Sequence, residues 1–570
     1  MPSKHLAAAL IATFVAAPLL ASALVASPAM AQTPPATSQL LYLAEDVPAG
    51  LDYDGPSVAV NTSQVGFINL MEPLIYYPYA AQPNDEGIRQ LDFHHFEGRL
   101  IERWEHDAAT RTWTMHLRQG VKSCAGNVFS ADDVIYTLAR GKSVSGAAPI
   151  NWFLGSVGSI AGFDRSVFTG GSKELGDAVT KIDDHTVQIR QSSDNALLLT
   201  VLTIYSMAPF DSVEMKKHAT PTDPWSHIYA NTVNAPGFGP YCLESWVKDD
   251  EFVLRANPDY YRGKPAIDRV VIKRVPQSAN RALTLRSGQA QLTQRLTVRE
   301  FENLSKAPHV HVAGIYGNET LALNLNWKTP PFDNPKMRQA IAAAMPYRQI
   351  ATIGYAGQAR KWDAHYTEVL NGYVKPQAQY VQDPDKARAL LAEAGFPGGK
   401  GLEQYAASFR LAFTAERESY LGPIATTIQS ALADVGIPVQ LDPMPQTQVA
   451  DRRMVKKDLP MALSDIEKPV GPDVVYATKL FFVSSAAGGV NNAVNYSNPE
   501  LDRLFAAALV EADPDKRATM VRSMQEIVQS DLAWVPLVET KTQWAFSDKL
   551  HGITWHPDNS LRLFELRLDP

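Results

Sequence analysis

The sequence predicts an α/β protein of more than one lobe, and three observations carry the prediction. Residues 321–538 alternate short apolar runs with segments of helical period, the order of an α/β unit. Residues 236–259 read as a hairpin between two forced turns, Pro236-Gly237-Phe238-Gly239-Pro240 and Asn257-Pro258-Asp259, because Gly tolerates positive φ and Pro fixes it near −65°. A chain of 570 residues with 45% apolar content can bury large cores, and its length points to more than one domain.

The first 31 residues read as an export leader. Lys4 supplies the positive end, residues 6–25 are an Ala/Leu-rich apolar run, and Pro28-Ala29-Met30-Ala31 presents the small-x-small pattern that places cleavage after Ala31. Pro18 and that cleavage pattern weigh against an uncleaved anchor, no Cys lies nearby for a lipid anchor, and no later stretch is apolar for long enough to span a bilayer. After a Pro-rich lead, 40–44 is the first strand, 50–61 a loop, and 63–73 a helix running into 74–77. Residues 113–117 form a strand. Ser130 then caps a helix with Asp133 at its third position and Val134, Ile135 and Leu138 on one face. Residues 143–171 are rich in Gly, Ser and aromatics without a period, and Trp152 and Phe153 there fit either a cleft lining or a core. Residues 183–190 alternate as a strand, and 196–202 follow as a helix.

In the hairpin, Tyr241, Leu243 and Ser245, then Phe252, Leu254 and Ala256, alternate with polar neighbours. Another strand begins at Ile267, and 280–287 is a helix. The character changes near Gly314: 321–325 is a strand, and Asn334-Pro335 starts a helix with Pro in its first turn. Asp383-Pro384 starts a second, closed by Gly395. Residues 409–413 and 439–441 are strands around a helix over 424–435, and Ser497-Asn498-Pro499 and Asp513-Pro514 begin two more helices. Residues 533–538 and 561–568 are the last strands.

Four segments together carry a family resemblance. They are 117–134 (LRQGVKSCAGNVFSADDV), 234–265 (NAPGFGPYCLESWVKDDEFVLRANPDYYRGKP), 324–344 (NLNWKTPPFDNPKMRQAIAAA) and 491–504 (NNAVNYSNPELDRL). In these segments, and in their order, the chain resembles the extracellular solute-binding proteins of peptide- and nickel-type ABC importers. The resemblance implies a bilobal periplasmic-binding-protein fold, two lobes joined by two crossings near Gly314 and Pro536, with ligand held between them. Its expected parts are lobe I over 32–75 and 191–314, an inserted subdomain over 76–190, lobe II over 315–536, and a return to lobe I over 537–570. The implied role is periplasmic capture of a small solute, above all a di- or oligopeptide, for the importer's transmembrane subunits, by a monomer without a cofactor. Glutathione, opines, oligosaccharides, nickel chelates and haem are the family's other ligands.

For the site, Ser464-Asp465 matches the position where peptide-binding members hold the ligand's α-ammonium, which makes Asp465 the lead candidate; the aromatic residue usual before that acid is absent here. A helix cap or loop carboxylate is the structural alternative. Asn61 ends the loop before the helix 63–73, a loop whose equivalent faces ligand in the family, and Phe238, Gly239, Tyr241 and Trp152 are cleft candidates that turn, strand or core packing would equally explain. Arg453, beside Arg452, has the chemistry to hold a carboxylate bidentately, or to stand solvated. The two cysteines, Cys124 and Cys242, are expected to pair, as an even number in an exported chain usually does, and the resemblance puts both in lobe I.

Other function classes find little support. The formal net charge of −7 includes Lys4 of the leader, so the mature chain is more acidic still and unsuited to a nucleic-acid partner. His94, His95, Glu97 and His106 are the one His/Glu cluster, and adjacent strand histidines point to opposite faces, so no metal site is expected. No HExxH, GxSxG or Walker pattern occurs, which leaves a secreted hydrolase as the weaker reading.

Overall fold

The computed structural model describes residues 38–54, 61–143, 154, 155, 157–160, 176–377, 379–465, 468–487, 489 and 491–569. The expected leader and the pair Trp152 and Phe153 lie outside them, as does the side chain of Asn61. Among the described residues no helix is long and apolar enough to cross a membrane.

One sheet of 11 strands organises the described chain. Its order is Gln440–Met444, Arg410–Thr414, Met461–Ser464, Val310–Leu325, Val535–Ser547, Leu292–Gln294, Gln39–Ala44, Arg269–Arg274, Glu251–Ala256 and Tyr241–Val247, with Arg360–Lys361 beside Val535–Ser547. Two of these strands are long, with 16 residues in Val310–Leu325 and 13 in Val535–Ser547. They pair antiparallel over 310–316 with 541–547, slip register between Tyr316 and Thr320, and pair again over 320–323 with 535–539. Beyond the slip on one side lie Leu292–Gln294, Gln39–Ala44 and Arg269–Arg274; on the other lie Met461–Ser464, Arg410–Thr414 and Gln440–Met444. The sheet therefore has two halves that share two strands.

Strand direction then decides where functional groups gather. In the second half the three flanking strands are parallel to one another and antiparallel to 322–325. In the first half the three are parallel to one another and run in the direction of 310–316. The carboxyl ends of both sets face the slip from opposite sides.

The sequence predicts only 321–325 of the first long strand because Gly314 and Gly317 interrupt its alternation. Both glycines serve close approach. A Cβ on Gly314 would lie 2.7 Å from the Thr542 carbonyl oxygen, and one on Gly317 would lie 2.6 Å from the Trp555 ring.

The hairpin Tyr241–Val247 and Glu251–Ala256 pairs as expected. The helices Pro335–Ala344, Pro384–Glu393, Pro499–Val510 and Pro514–Asp531 each begin at the expected Asn or Asp, whose side chain accepts backbone N–H groups of the first turn. Two expected strands are corrected. Residues 183–190 are not one strand: Val179–Asp183 and Thr186–Arg190 form a hairpin, because the Asp183 side chain accepts the His185 N–H at 2.8 Å and turns the chain. Residues 561–568 form a 3-10 turn, Leu563–Glu565, and a two-residue strand, Arg567–Leu568. There Asn69 accepts the Leu563 N–H at 2.8 Å, which holds the segment to the helix Asn61–Leu70 instead of a sheet.

A second sheet, Ile101–Asp107, Thr112–Leu117, Thr186–Arg190 and Val179–Asp183 in that order, packs through a shared core against residues 362–370 and 474–483. Cys124 and Cys242 form the expected disulfide, 118 positions apart in sequence with Cα atoms 5.7 Å apart.

Candidate ligand cleft between the sheet halves

In α/β sheets the crevice outside the carboxyl ends of parallel strands is where side chains from several elements converge. In the second half, Arg410–Thr414 ends in a turn, Ala415–Arg417, that leads into the helix Glu418–Ala433, and Met461–Ser464 ends at Asp465. Arg417, Tyr420 and Asp465 meet there. Arg417 donates Nη1 to Asp465 Oδ2 at 2.5 Å, and Tyr420 donates its hydroxyl to the same oxygen at 2.7 Å. Burial alone would push the Asp465 carboxyl up; Arg417, Lys468 and Tyr420 outweigh it and hold the group below the ordinary carboxylate range. The candidate acid is thus already charge-compensated within the chain.

Arg453 lies in the turn Asp451–Lys456 and is buried, and burial lowers its pKa to about 10 against the opposing charge of Asp465. Its neighbour Arg452 stays at the surface, bound to Asp458 at 3.0 Å. Arg453 is thus a buried cation within electrostatic reach of Asp465.

The strand slip holds a polar network of its own. Asn318 donates Nδ2 to the carbonyls of Pro469 at 3.0 Å and Pro557 at 2.7 Å. Glu319 accepts Lys468 Nζ at 2.7 Å and Asn559 Nδ2 at 3.3 Å. Asn559 also donates to Asn318 Oδ1 at 3.1 Å and accepts the Trp555 indole N–H at 2.7 Å. On the far side of the crevice, Ala196 donates its N–H to the Leu509 carbonyl at 3.2 Å, and a Cβ on Gly471 would lie 2.8 Å from the Thr200 methyl. The chain before the first long strand and the chain between the two long strands therefore touch in this arrangement.

Three further candidates make packing contacts in this arrangement. Phe238 is fully buried with its ring edge-on to Phe129, centroids 5.1 Å apart. Gly239 donates its N–H to the Leu70 carbonyl at 2.9 Å, and a Cβ there would sit 2.4 Å from Leu70 carbon. Tyr241 is fully buried and donates its hydroxyl to the Ile267 carbonyl at 3.1 Å. The turn is glycine-rich because it runs along the end of the helix Asn61–Leu70. Asn61 is that helix's first residue, away from this contact.

The aromatic pair that ends the hairpin motif has a purpose the sequence hides. Tyr260 and Tyr261 donate to the two oxygens of buried Glu72 at 2.7 and 2.9 Å, beside a cavity of about 30 Å³ that Arg99 and Arg262 also line. A larger open groove of about 430 Å³, lined by Thr426, Ala433 and Val439 among others, lies at the amino ends of the second-half strands and has no charged lining residue. His95 pairs with Asp92 at 2.7 Å while His106 stacks on Trp113, and among the described residues no three ligand-type side chains gather for a metal.

Comparison with known proteins meets this geometry. The family model for bacterial extracellular solute-binding proteins, family 5 (middle), matches residues 95–488. The probable D,D-dipeptide-binding periplasmic protein DdpA of Escherichia coli (strain K12) is 26% identical over 461 residues, 81% of this chain and 82% of its own length. Heme-binding protein A of Haemophilus influenzae is 26% identical over 478 residues, again 81% of this chain and 82% of its own length. The ABC transporter-associated periplasmic binding protein DppA of Helicobacter pylori, solved with the peptide STSA, superposes with a TM-score of 0.74 at 24% identity, covering 94% of this chain and 99% of that one. That likeness makes the two-half architecture the bilobal periplasmic-binding-protein fold. With its motifs in order, its halves joined by two strands and the family match running through most of its length, the chain belongs to the bacterial extracellular solute-binding proteins of family 5.

Proposed function

We propose that the protein is the periplasmic substrate-binding subunit of an ABC importer. Residues 1–31 direct export and are removed; the mature chain, a monomer, takes a di- or oligopeptide or peptide-like solute into the crevice and presents it, closed, to the transmembrane subunits. We assign lobe II to 315–536 and lobe I with its insertion to the rest of the mature chain.

The observation that carries this reading is the crevice itself. Charged and hydroxyl groups from separate strand ends converge where only two strands join the halves, so a bound solute can be enclosed by a hinge motion. A binding role fits the chemistry better than turnover. Asp465 is held between Arg417 and Tyr420, and among the described residues bonded to it there is no nucleophile and base pair of the kind acyl transfer needs.

Native mass spectrometry of protein purified from periplasm gives the mass of any copurified solute, and calorimetry with a dipeptide pool tests the class. The expected result is binding with the peptides recovered intact, a raised melting temperature and compaction in small-angle scattering. Cleaved peptides would point to a hydrolase. A copurified sugar, metal chelate or haem, with no response to the pool, would overturn the peptide class.

A further inference from the structure

The strand slip contains more than a hinge needs. A flexible crossing requires only two connected strands with freedom in φ and ψ. Here residues 317–319 leave the ladder, yet Asn318 is 1% exposed and its side chain is fully engaged. Its partners come from both sides: Pro469 follows the second-half strand Met461–Ser464, and Pro557 follows the long strand Val535–Ser547 as the chain returns to the first half. Glu319 repeats the pattern with Lys468 from the second half and Asn559 from the first. Asn559 is fixed in place by Trp555 and by the Thr542 hydroxyl at 3.2 Å, so it is a rigid anchor.

We propose that Asn318, Glu319, Lys468 and Asn559 form a closure latch: the network ties Lys468-Pro469 to the 555–559 segment and biases the ligand-free chain toward the closed arrangement. The proposal rests on the reading above that the crevice opens to admit a solute. Opening rotates the second half away from the first and draws Lys468 and Pro469 off the 555–559 segment. Asn318 cannot keep both carbonyls, and Glu319 cannot keep both donors. Each bond lost leaves a buried polar group to be rehydrated, and a charged group makes that loss larger. The Lys468–Glu319 pair is the accessible member, with side chains 29% and 24% exposed, so it is the part that salt and bound solute reach first. A latch of this kind changes the affinity for every solute by the same factor, because it sets the population of the closed state and not the contacts within it.

The test uses the ligand-free mature protein. Spin labels at Ser193 and Ala512, exposed neighbours of the Ala196–Leu509 contact, report the crevice mouth by their distance distribution. In wild type the short distance should dominate. Glu319→Gln and Lys468→Gln should each raise the ratio of long to short distance by roughly tenfold, and the double variant should add little to either single one. Sodium chloride at about 1 M should move wild type in the same direction and the variants less. Lys468→Gln alters a partly exposed side chain and keeps the hydrogen-bonding length, so it serves where Glu319→Gln folds poorly. Two distances populated in the same ratio in wild type and both variants would overturn the latch and leave the capture reading standing. A single distance in every variant and at every salt concentration would mean that the halves do not move, and both would fall.

Discussion

Replacing Cys124 and Cys242 together by serine removes the one covalent link between the 121–128 loop and the edge strand Tyr241–Val247, and its effect can be worked from the chain. The disulfide closes a loop of 118 positions. The chain-entropy relation gives about 4 to 5 kcal/mol for that length as an upper figure. The native state should change little on its loss, because the loop is held independently: Ser123 and Asn127 donate to Asp211 at 2.6 and 2.9 Å, and Phe129 donates its N–H to the Val121 carbonyl at 2.9 Å. The loss therefore falls mainly on the unfolded chain, which gains the freedom the link denied it. Cys124 lies at the surface while Cys242 is buried, so reductant can reach the bond from one side in the folded protein. Guanidinium unfolding of oxidised, reduced and double-serine protein is the assay. The reduced and double-serine forms should unfold at the same, lower midpoint, with the folded baseline of each unchanged. Equal midpoints for all three, or two titratable thiols in denatured unreduced protein, would refute the reasoning.

Three further outcomes follow from buried groups. Asp465→Asn and Arg417→Gln should each cost about 2 kcal/mol, less than a fully buried pair because Arg417 is 34% exposed, and the double variant should lose no more than one of them; additive losses in denaturant unfolding would mean the contact is idle. His365 is buried with its pKa lowered to about 4, so below its unfolded value of 6.5 the unfolded chain takes a proton that the folded one refuses; stability from this group is complete above about pH 6.5 and falls by about 3 kcal/mol toward pH 4, and a His365→Gln variant with the same slope of midpoint against pH as wild type would exclude it. Gly317→Ala should cost about 1 to 3 kcal/mol by pressing its methyl into the Trp555 ring, read as a lower melting temperature that Trp555→Leu partly restores; an unchanged melting temperature would show that the ring yields freely.

Much of the fold could be read from local chemistry. Asn334, Asp383, Asn498 and Asp513 each precede a proline and each cap a helix, so four helix starts were visible in eight residues. The hairpin was visible because its apolar positions alternate between two rigid turns. Strand ends that depend on tertiary partners were not. Residues 310–316 pair with 541–547, and Thr320 with Glu539, although the pattern between is broken by Gly314, Gly317 and Asn318. Residues 561–568 alternate like a strand, but buried Asn69 and partly buried Asp558 claim their backbone and Arg562 instead.

The site was less legible, and the reason is the same in each case: its residues are identified by what lies across space from them. Asp465 came from a positional match, yet nothing local announces Arg417 and Tyr420, 48 and 45 positions earlier, as its partners. Phe238, Gly239 and Tyr241 fit a cleft or plain turn and strand packing equally well in sequence, and only the structure reveals that Gly239 answers the close passage of the helix end at Leu70. A signal for the hinge was nevertheless present. Between Gly314 and Thr320 the strand loses its alternation while keeping Asn318 and Glu319, two polar residues that an extended, buried segment would carry only at a cost unless each found several partners. A polar interruption flanked by glycines inside an otherwise apolar strand therefore marks a place where two bodies meet across the backbone. In this chain that place is also where the carboxyl ends of both strand sets converge, which is why Lys468 of the junction network lies within electrostatic reach of the candidate Asp465.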